Sequence, residues 1–388
     1  MNEIRKMAEE IGPELIAFRR DLHMHPEISM HEFRTTRKVA EELDRLGIPY
    51  QKFEPTGLMA WIQGDRPGKT VALRADMDAL TITENTGLDF ASVNPGVMHA
   101  CGHDSHTSML LGAAKILSRL KGQIRGTVKF IFQPAEESGE GSAALIGQGA
   151  AEGVDHFVGI HVNPTVRPGM IGFCPGPQLA ASDRFSIRVK SKGCHGAMPH
   201  LGIDAIYVAA EIIVALQTVV SRFVDPMKAA VVSVGIVNAG TRWNVISGDA
   251  YLEGTVRYMD TELQKPLEEK IRTLAEGIAR THGAEAKLEY ILGTRPVITD
   301  VEVTETAIQA ARKIVDDPEK DIYITGPGMG GDDFGNFCVL APSTCIKVGA
   351  GGSSPVHSPT MVIDESIIPL GTAVFVQVAL DLLAKETY

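Results

Sequence analysis

The segment His99-Ala100-Cys101-Gly102-His103-Asp104 sets a thiol between two imidazoles, directly before a helical pattern. Cys101 and His103, one residue apart, can both face one metal ion if the backbone is extended or turning, and Gly102 permits that turn. The competing reading makes Cys101 a buried thiol and His103 a cap for the following helix, and this motif alone does not separate the two. A second segment, Phe132-Gln133-Pro134-Ala135-Glu136-Glu137, ends an apolar strand pattern. Adjacent carboxylates at a strand end can divide labour, one binding metal while its neighbour moves protons. A solvated acidic loop is the plainer alternative. His161 closes the apolar run Phe157-Val158-Gly159-Ile160, and His357 lies in Val356-His357-Ser358-Pro359, after the glycine-rich residues 349–352. Each is as readily a structural histidine. Their common placement at strand ends, where open α/β sheets bind ligands, argues for a single site.

The elements that must position these residues alternate along the chain. Helical patterns are expected at 13–23, with Pro13 in the first turn, at 31–46, where Gly47 suits a C-terminal cap, and at 105–120 and 141–148. Apolar strand patterns fall at 58–62, 71–74, 128–132 and 157–160. This order predicts an α/β domain with a mostly parallel sheet. Near Asp183 the texture changes: Phe185, Ile187 and Val189 alternate with Ser186, Arg188 and Lys190, the period of a half-buried strand. A helix at 205–221, strands at 230–237 and 250–258, a helix at 262–281 and a strand at 286–291 complete the β-α-β-β-α-β order of a ferredoxin-like α+β domain. The remainder returns to helices and short strands and ends in a helix at 367–384. The expected organisation is a discontinuous domain, 1–182 with 296–388, carrying an inserted domain at 183–295.

A formal charge of −11 over 388 residues provides no basic field for nucleic acid or an anionic membrane. The N-terminal pattern lacks the uninterrupted apolar core of a signal peptide, and no apolar run of transmembrane length stands out. Five scattered cysteines do not form a disulfide framework. The expected compartment is a reducing cytoplasm.

Taken together, these segments resemble those of the dinuclear metallopeptidase and amidohydrolase family that includes aminoacylases, carboxypeptidase G, hippurate hydrolases and plant auxin-conjugate hydrolases. The match is closest to the branch carrying His-Ala-Cys-Gly-His-Asp and runs through nearly the whole chain. It also rests on Arg19-Arg20-Asp21-Leu22-His23 with Pro26-Glu27, Arg74-Ala75-Asp76-Met77-Asp78-Ala79-Leu80, His195-Gly196, Asn244-Val245-Ile246 and Gly254-Thr255-Val256-Arg257.

The resemblance implies that Cys101, His103, Glu137, His161 and His357 hold two divalent cations, Cys101 bridging in the place an Asp fills in other branches. A thiolate ligand suits zinc, with manganese, cobalt or nickel as alternatives. It further implies Glu136 as general base, and Asp78 as the carboxylate that orients a metal-bound histidine. His195, reaching over from the inserted domain, is implied as donor to the oxyanion. Asn244 and Arg257 are implied substrate contacts, Arg257 offering forked donors to a carboxylate. His195 as a surface residue of the loop Gly193-Cys194-His195-Gly196, and Arg257 as an ordinary strand residue, stay open. Family members often pair through the inserted domain, so a homodimer or higher homo-oligomer is implied, with that domain as lid and dimerisation surface.

Four positions depart from the pattern: Thr81 and Ser247 stand where Pro is usual, Cys194 where Gly is common and Asp332 where Glu is expected. None removes an implied ligand or the base. His23, His25, His99, His106 and His200 receive no role. The implied activity is hydrolysis of the amide bond of a small N-acyl-amino acid with a free α-carboxylate. A dipeptidase or carboxypeptidase-like enzyme, or an aryl-amide hydrolase of the hippurate or auxin-conjugate kind, is the alternative within the enzymes. A non-catalytic metal- or ligand-binding protein on the same fold is the alternative outside them. Glu136 separates these two, since a retired enzyme has no need of a carboxylate beside Glu137.

Overall fold

The computed structural model describes residues 2–385; Met1 and residues 386–388, the outermost positions of the expected catalytic domain, lie outside the described residues. The chain forms two compact units, one comprising Met1–Gln178, Ile298–Pro327 and Asp333–Tyr388, the other Leu179–Val297 and Gly328–Asp332.

The first unit is built on an eight-stranded sheet in the order Tyr50–Lys52, Leu58–Gln63, Arg125–Gln133, Arg66–Asp76, His156–Asn163, Ser343–Gly349, Ile171–Phe173, Ile322–Ile324. The four central strands run parallel. Leu58–Gln63 is antiparallel to Arg125–Gln133, and Ile171–Phe173 to Ser343–Gly349, so the sheet is mixed at its flanks. The central strands carry continuous apolar runs, Val71–Leu73 and Phe130–Phe132 among them, because helices cover a parallel sheet and bury both of its faces. Helices Glu3–Met24, His103–Arg119 and Ile367–Ala384 pack on one another, and the latter two lie against Arg66–Asp76.

Three expectations change here. Pro13 lies inside Glu3–Met24, not in its first turn. The helix carries on through it because Ile4, Ala8, Ile11, Leu15 and Leu22 form one buried stripe on both sides of the proline, and packing outweighs the lost hydrogen bond. His161 lies within the strand His156–Asn163, which runs two residues past it. Among the described residues, two helical stretches, Ala205–Phe223 and Ile367–Ala384, are long and apolar enough to cross a membrane by length and composition. Ile367–Ala384 is mostly buried in the first unit's core. Ala205–Phe223 sends Val208, Ala209, Ile212 and Leu216 into the second unit's core at helical spacing.

The second unit has a four-stranded antiparallel sheet ordered Ala230–Ala239, Asp249–Tyr258, Ala181–Lys190, Glu285–Thr294, crossed by helices Ala205–Thr218 and Gln264–Thr281. That is the ferredoxin-like order. Phe185, Ile187 and Val189 are buried while Arg184, Arg188 and Lys190 face outward. Buried Asp183 accepts hydrogen bonds from the Tyr258 hydroxyl (3.0 Å), the Tyr290 hydroxyl (2.9 Å) and the Gly293 amide (2.9 Å). Gly328–Asp332 joins this unit by a return of the chain, the Ala180 amide donating to the Gly330 carbonyl at 2.9 Å. No periodicity signals that return.

Candidate metal centre

Three neighbouring strands of the first unit deliver most of the site at their carboxyl ends. Arg66–Asp76 leads to Asp78, Arg125–Gln133 leads to Glu136 and Glu137, and His156–Asn163 carries His161. Cys101 and His103 come from the turn that starts helix His103–Arg119. Gly102 between them has φ +87°, and a Cβ there would stand 2.4 Å from Val162 Cγ2, so both backbone and space demand glycine. His357 lies on the loop before Ile367–Ala384, with its amide donating to the Ala100 carbonyl at 2.7 Å.

The structure brings Cys101, His103, Glu136, Glu137, His161 and His357 into one cluster. Cys101 belongs to two triads, Cys101-His103-His161 and Cys101-Glu137-His357, in each of which the three donor atoms lie within 4.8 Å of one another. Cys101 Sγ is 3.4 Å from His161 Nε2, and His357 Nε2 is 3.4 Å from Glu137 Oε1. Ligand bonds of about 2.0–2.3 Å at near-tetrahedral angles place neighbouring donors roughly 3.3–3.8 Å apart, so these separations fit shared cations. His103 Nε2 is buried without a hydrogen-bond partner, and Glu137 Oε1, equally buried, has only the long approach of His357 Nε2. Such orphaned atoms are costly unless something binds them. A soft thiol with imidazoles and one carboxylate is the donor chemistry of zinc.

Hydrogen bonds orient the rings. His103 Nδ1 faces Asp78 Oδ1 at 3.2 Å and His161 Nδ1 faces the Val162 carbonyl at 2.8 Å, so each ring keeps its Nε2 for the cluster. Burial lowers the pKa of His161 well below its ordinary value, with the Lys347 charge adding to the effect, and so favours the neutral ring. Burial likewise pushes the Cys101 thiol up. A bound dication acts in the opposite direction, favouring the thiolate. Asp78 is buried and serves backbone as well as ring: the Glu136 amide donates to its Oδ1 at 3.1 Å, the Glu137 amide to its Oδ2 at 3.0 Å and Ser29 Oγ to the same oxygen at 2.6 Å.

Two residues without an expected role, Asp76 and His106, also sit here. His106 Nδ1 bonds Asp76 Oδ1 at 2.6 Å, while its Nε2 accepts the Val162 amide at 2.9 Å, which fixes the tautomer. The i, i+3 spacing of His103 and His106 on one helix face was the available signal. Asp76 is held from the other side by Arg74, a buried guanidinium that also bonds Gln133 and Asp333 at 2.8 Å each. Arg74→Ala removes the buried positive charge that Asp76 and Asp333 share, so a loss of about 3–5 kcal/mol is expected in urea unfolding; a loss below about 1 kcal/mol contradicts that role.

Among the described residues, only Met30, Ala135 and His357 are non-glycines in the left-handed region, at φ 64°, 54° and 64°. Each such residue costs on the order of 1–3 kcal/mol, and such residues gather where a structure must aim a group. Ala135 directly precedes Glu136, and His357 is itself in the cluster.

His195, Asn244 and Arg257 belong to the second unit. His195 is exposed on the two-residue strand Cys194–His195, paired opposite Val245, and its Nδ1 accepts the Ala197 amide at 3.1 Å. Asn244 adjoins it, its carbonyl accepting the Gly196 amide at 2.8 Å, and its Oδ1 is buried without a partner. Arg257 is half-buried on Asp249–Tyr258, beside Gly331; burial lowers its pKa and the Asp183 charge opposes that.

Comparison with known proteins agrees with this architecture. The sequence profile of Peptidase family M20/M25/M40 matches residues 72–381. The chain is 38% identical over 376 residues to an N-acetyl-L-cysteine deacetylase of Bacillus subtilis, covering 95% of this chain and 89% of that one. It is 46% identical over 298 residues to an N-acyl-L-amino acid amidohydrolase of Geobacillus stearothermophilus, covering 76% and 80%. A crystal structure of a dinuclear metal-binding M20 peptidase from Bacillus subtilis superposes with a TM-score of 0.86 at 36% identity, covering 97% and 99%.

Proposed function

The chain belongs to Peptidase family M20/M25/M40, and from that premise we propose that it hydrolyses the amide bond of small N-acyl-amino acids, releasing a carboxylate and a free amino acid. The observation that carries this reading is the pair of triads sharing Cys101, with the buried His103 Nε2 left unpartnered and a further carboxylate, Glu136, beside them. In this reading Cys101, His103 and His161 would hold one divalent cation, and Cys101, Glu137 and His357 the other; this thiol-containing set would favour zinc ahead of manganese, cobalt and nickel. When bound, such cations supply Lewis acidity, polarising a carbonyl and making water acidic near neutral pH.

Glu136 takes the proton of the attacking water and returns it to the leaving amine nitrogen. Asp78 holds the His103 ring and, through their amides, the backbone of both glutamates. In this reading His195 donates to the developing oxyanion, Asn244 contacts the substrate, and Arg257 receives its carboxylate through paired N–H donors. The names of the two sequence relatives, an N-acetyl-L-cysteine deacetylase and an N-acyl-L-amino acid amidohydrolase, support an N-acylated amino acid as substrate.

Two copies of the chain pair through the second unit. Its edge strand Ala230–Ala239 exposes Ile236 and Val237, and helix Ala205–Thr218 exposes Ile206, Tyr207 and Val214. The acidic charge and scattered cysteines support a cytoplasmic enzyme.

The test is metal analysis of the purified chain, followed by a panel of N-acetyl-amino acids, dipeptides and aryl amides with added Zn²⁺, Mn²⁺ or Co²⁺. Two metal equivalents and turnover of the N-acetyl compounds are expected. Two metals without hydrolysis of any member would identify a binding protein instead, and preference for dipeptides a peptidase.

A further inference from the structure

We propose that Glu32, far from the cluster in sequence, is a positioning residue that holds the Glu136-Glu137 backbone in its working conformation. Its carboxylate is fully buried, and its Oε1 accepts two amides, Ala135 at 2.8 Å and Met30 at 3.1 Å. Those are two of the three left-handed non-glycine residues among the described ones. The other oxygen, Oε2, accepts the Thr56 hydroxyl at 2.6 Å. Thr56 precedes Gly57, where a Cβ would stand 2.7 Å from Pro134 Cδ, so the Thr56-Gly57 turn abuts the start of the glutamate loop.

Three successive amides, those of Ala135, Glu136 and Glu137, therefore end on two buried carboxylates, Glu32 and Asp78. An alanine amide held in this way remains in a conformation that an unrestrained alanine rarely adopts. The left-handed turn at Ala135 in turn sets the directions of the next two side chains. Without Glu32 the loop relaxes toward ordinary dihedrals, and Glu137 no longer presents its oxygen to His357 and Cys101.

The carboxyl need not be charged for this. Burial pushes its pKa up to about 7, hydrogen bonds from Thr56 and Ala135 oppose the shift, and the Asp78 charge adds to it. Glutamine has the shape of the protonated form: its oxygen accepts both amides, and its N–H₂ group donates to the Thr56 hydroxyl oxygen.

The inference rests on the proposed metal centre, so it is tested on Zn²⁺ binding by chelator competition, which needs no substrate, together with kcat and KM on an N-acetyl-amino acid that the chain turns over. Glu32→Ala is expected to weaken Zn²⁺ affinity about 10–100-fold, the range typical when a group orienting a ligand is lost. In the same variant kcat should fall while KM changes little. Glu32→Gln should stay within about threefold of the parent in both readouts. Glycine adopts the left-handed region without penalty, so Ala135→Gly in the Glu32→Ala background should recover most of the lost affinity and turnover. If Glu32→Ala does not fold, Glu32→Asp, which withdraws the carboxylate by one methylene, takes its place. Unchanged affinity in the folded variant, equal damage from Gln and Ala, or no rescue by Ala135→Gly would each overturn the proposal. A chain that binds Zn²⁺ but hydrolyses nothing would remove the proposed reaction and leave the binding arm to decide on Glu32.

Discussion

Glu136→Gln is expected to lower kcat by roughly 10²–10⁴-fold, the usual worth of a positioned general base, while two equivalents of metal stay bound. The amide keeps the size and polarity of the carboxylate and its backbone bond to Asp78, but it cannot accept the proton of an attacking water. A group that acts on the transition state alone changes kcat and kcat/KM together and leaves KM nearly untouched. Glu136 also lies close to His103 and Glu137, at 3.9 Å from the His103 ring nitrogen, so the same variant distinguishes base from ligand. Loss of metal on Glu136→Gln would reassign it as a donor, and turnover within threefold of the parent would remove it from the mechanism. A steady-state assay and plasma emission on one preparation answer both questions.

The second large effect is expected at Cys101. Because its sulfur belongs to both triads, Cys101→Ala weakens two cations with one substitution. Metal content should fall from two equivalents to one or fewer, and the melting temperature should lose its dependence on added Zn²⁺, since a ligand stabilises only the state that binds it. Cys101→Asp restores a charged donor of the harder kind, so it should regain metal with a preference moved from Zn²⁺ toward Mn²⁺. If Cys101→Ala keeps two tightly bound ions, the thiol is a neighbour of the site and not its bridge.

The residue types and segments alone left each candidate donor with a structural alternative, and only the family resemblance assigned them; the structure then brings those same residues into one cluster. Asp78 likewise came only from the resemblance, and the structure places it two residues beyond a strand end and against the His103 ring. Glu32 and Asp76 were not assigned. Glu32 stands outside any apolar run, and its partner is a backbone amide 103 residues away, a contact with no residue-type signature. Asp76 reads as one acid among several in Asp76-Met77-Asp78, and its two roles appear only when His106 and Arg74 converge on it. In the fold, the periodic segments of both units were legible, down to the alternation of Phe185, Ile187 and Val189. Pro13 was misplaced because local propensity gives way to a buried stripe on a long helix, and the return at Gly328–Asp332 was invisible because glycine-rich segments carry no period.

The strand order has a consequence for biosynthesis. Ser343–Gly349 lies between His156–Asn163 and Ile171–Phe173, and Ile367–Ala384 seals the same core. While the ribosome is still working through the intervening stretch, the emerging sheet has a gap in its middle, flanked by unpaired strands and by apolar surface awaiting its last helix. At about 5–20 residues per second, that interval lasts on the order of ten seconds or more. The nascent chain therefore exposes this apolar surface until its last segments are made, and a premature stop before residue 343 should give an aggregating product, visible as loss of soluble protein, and not a smaller folded one.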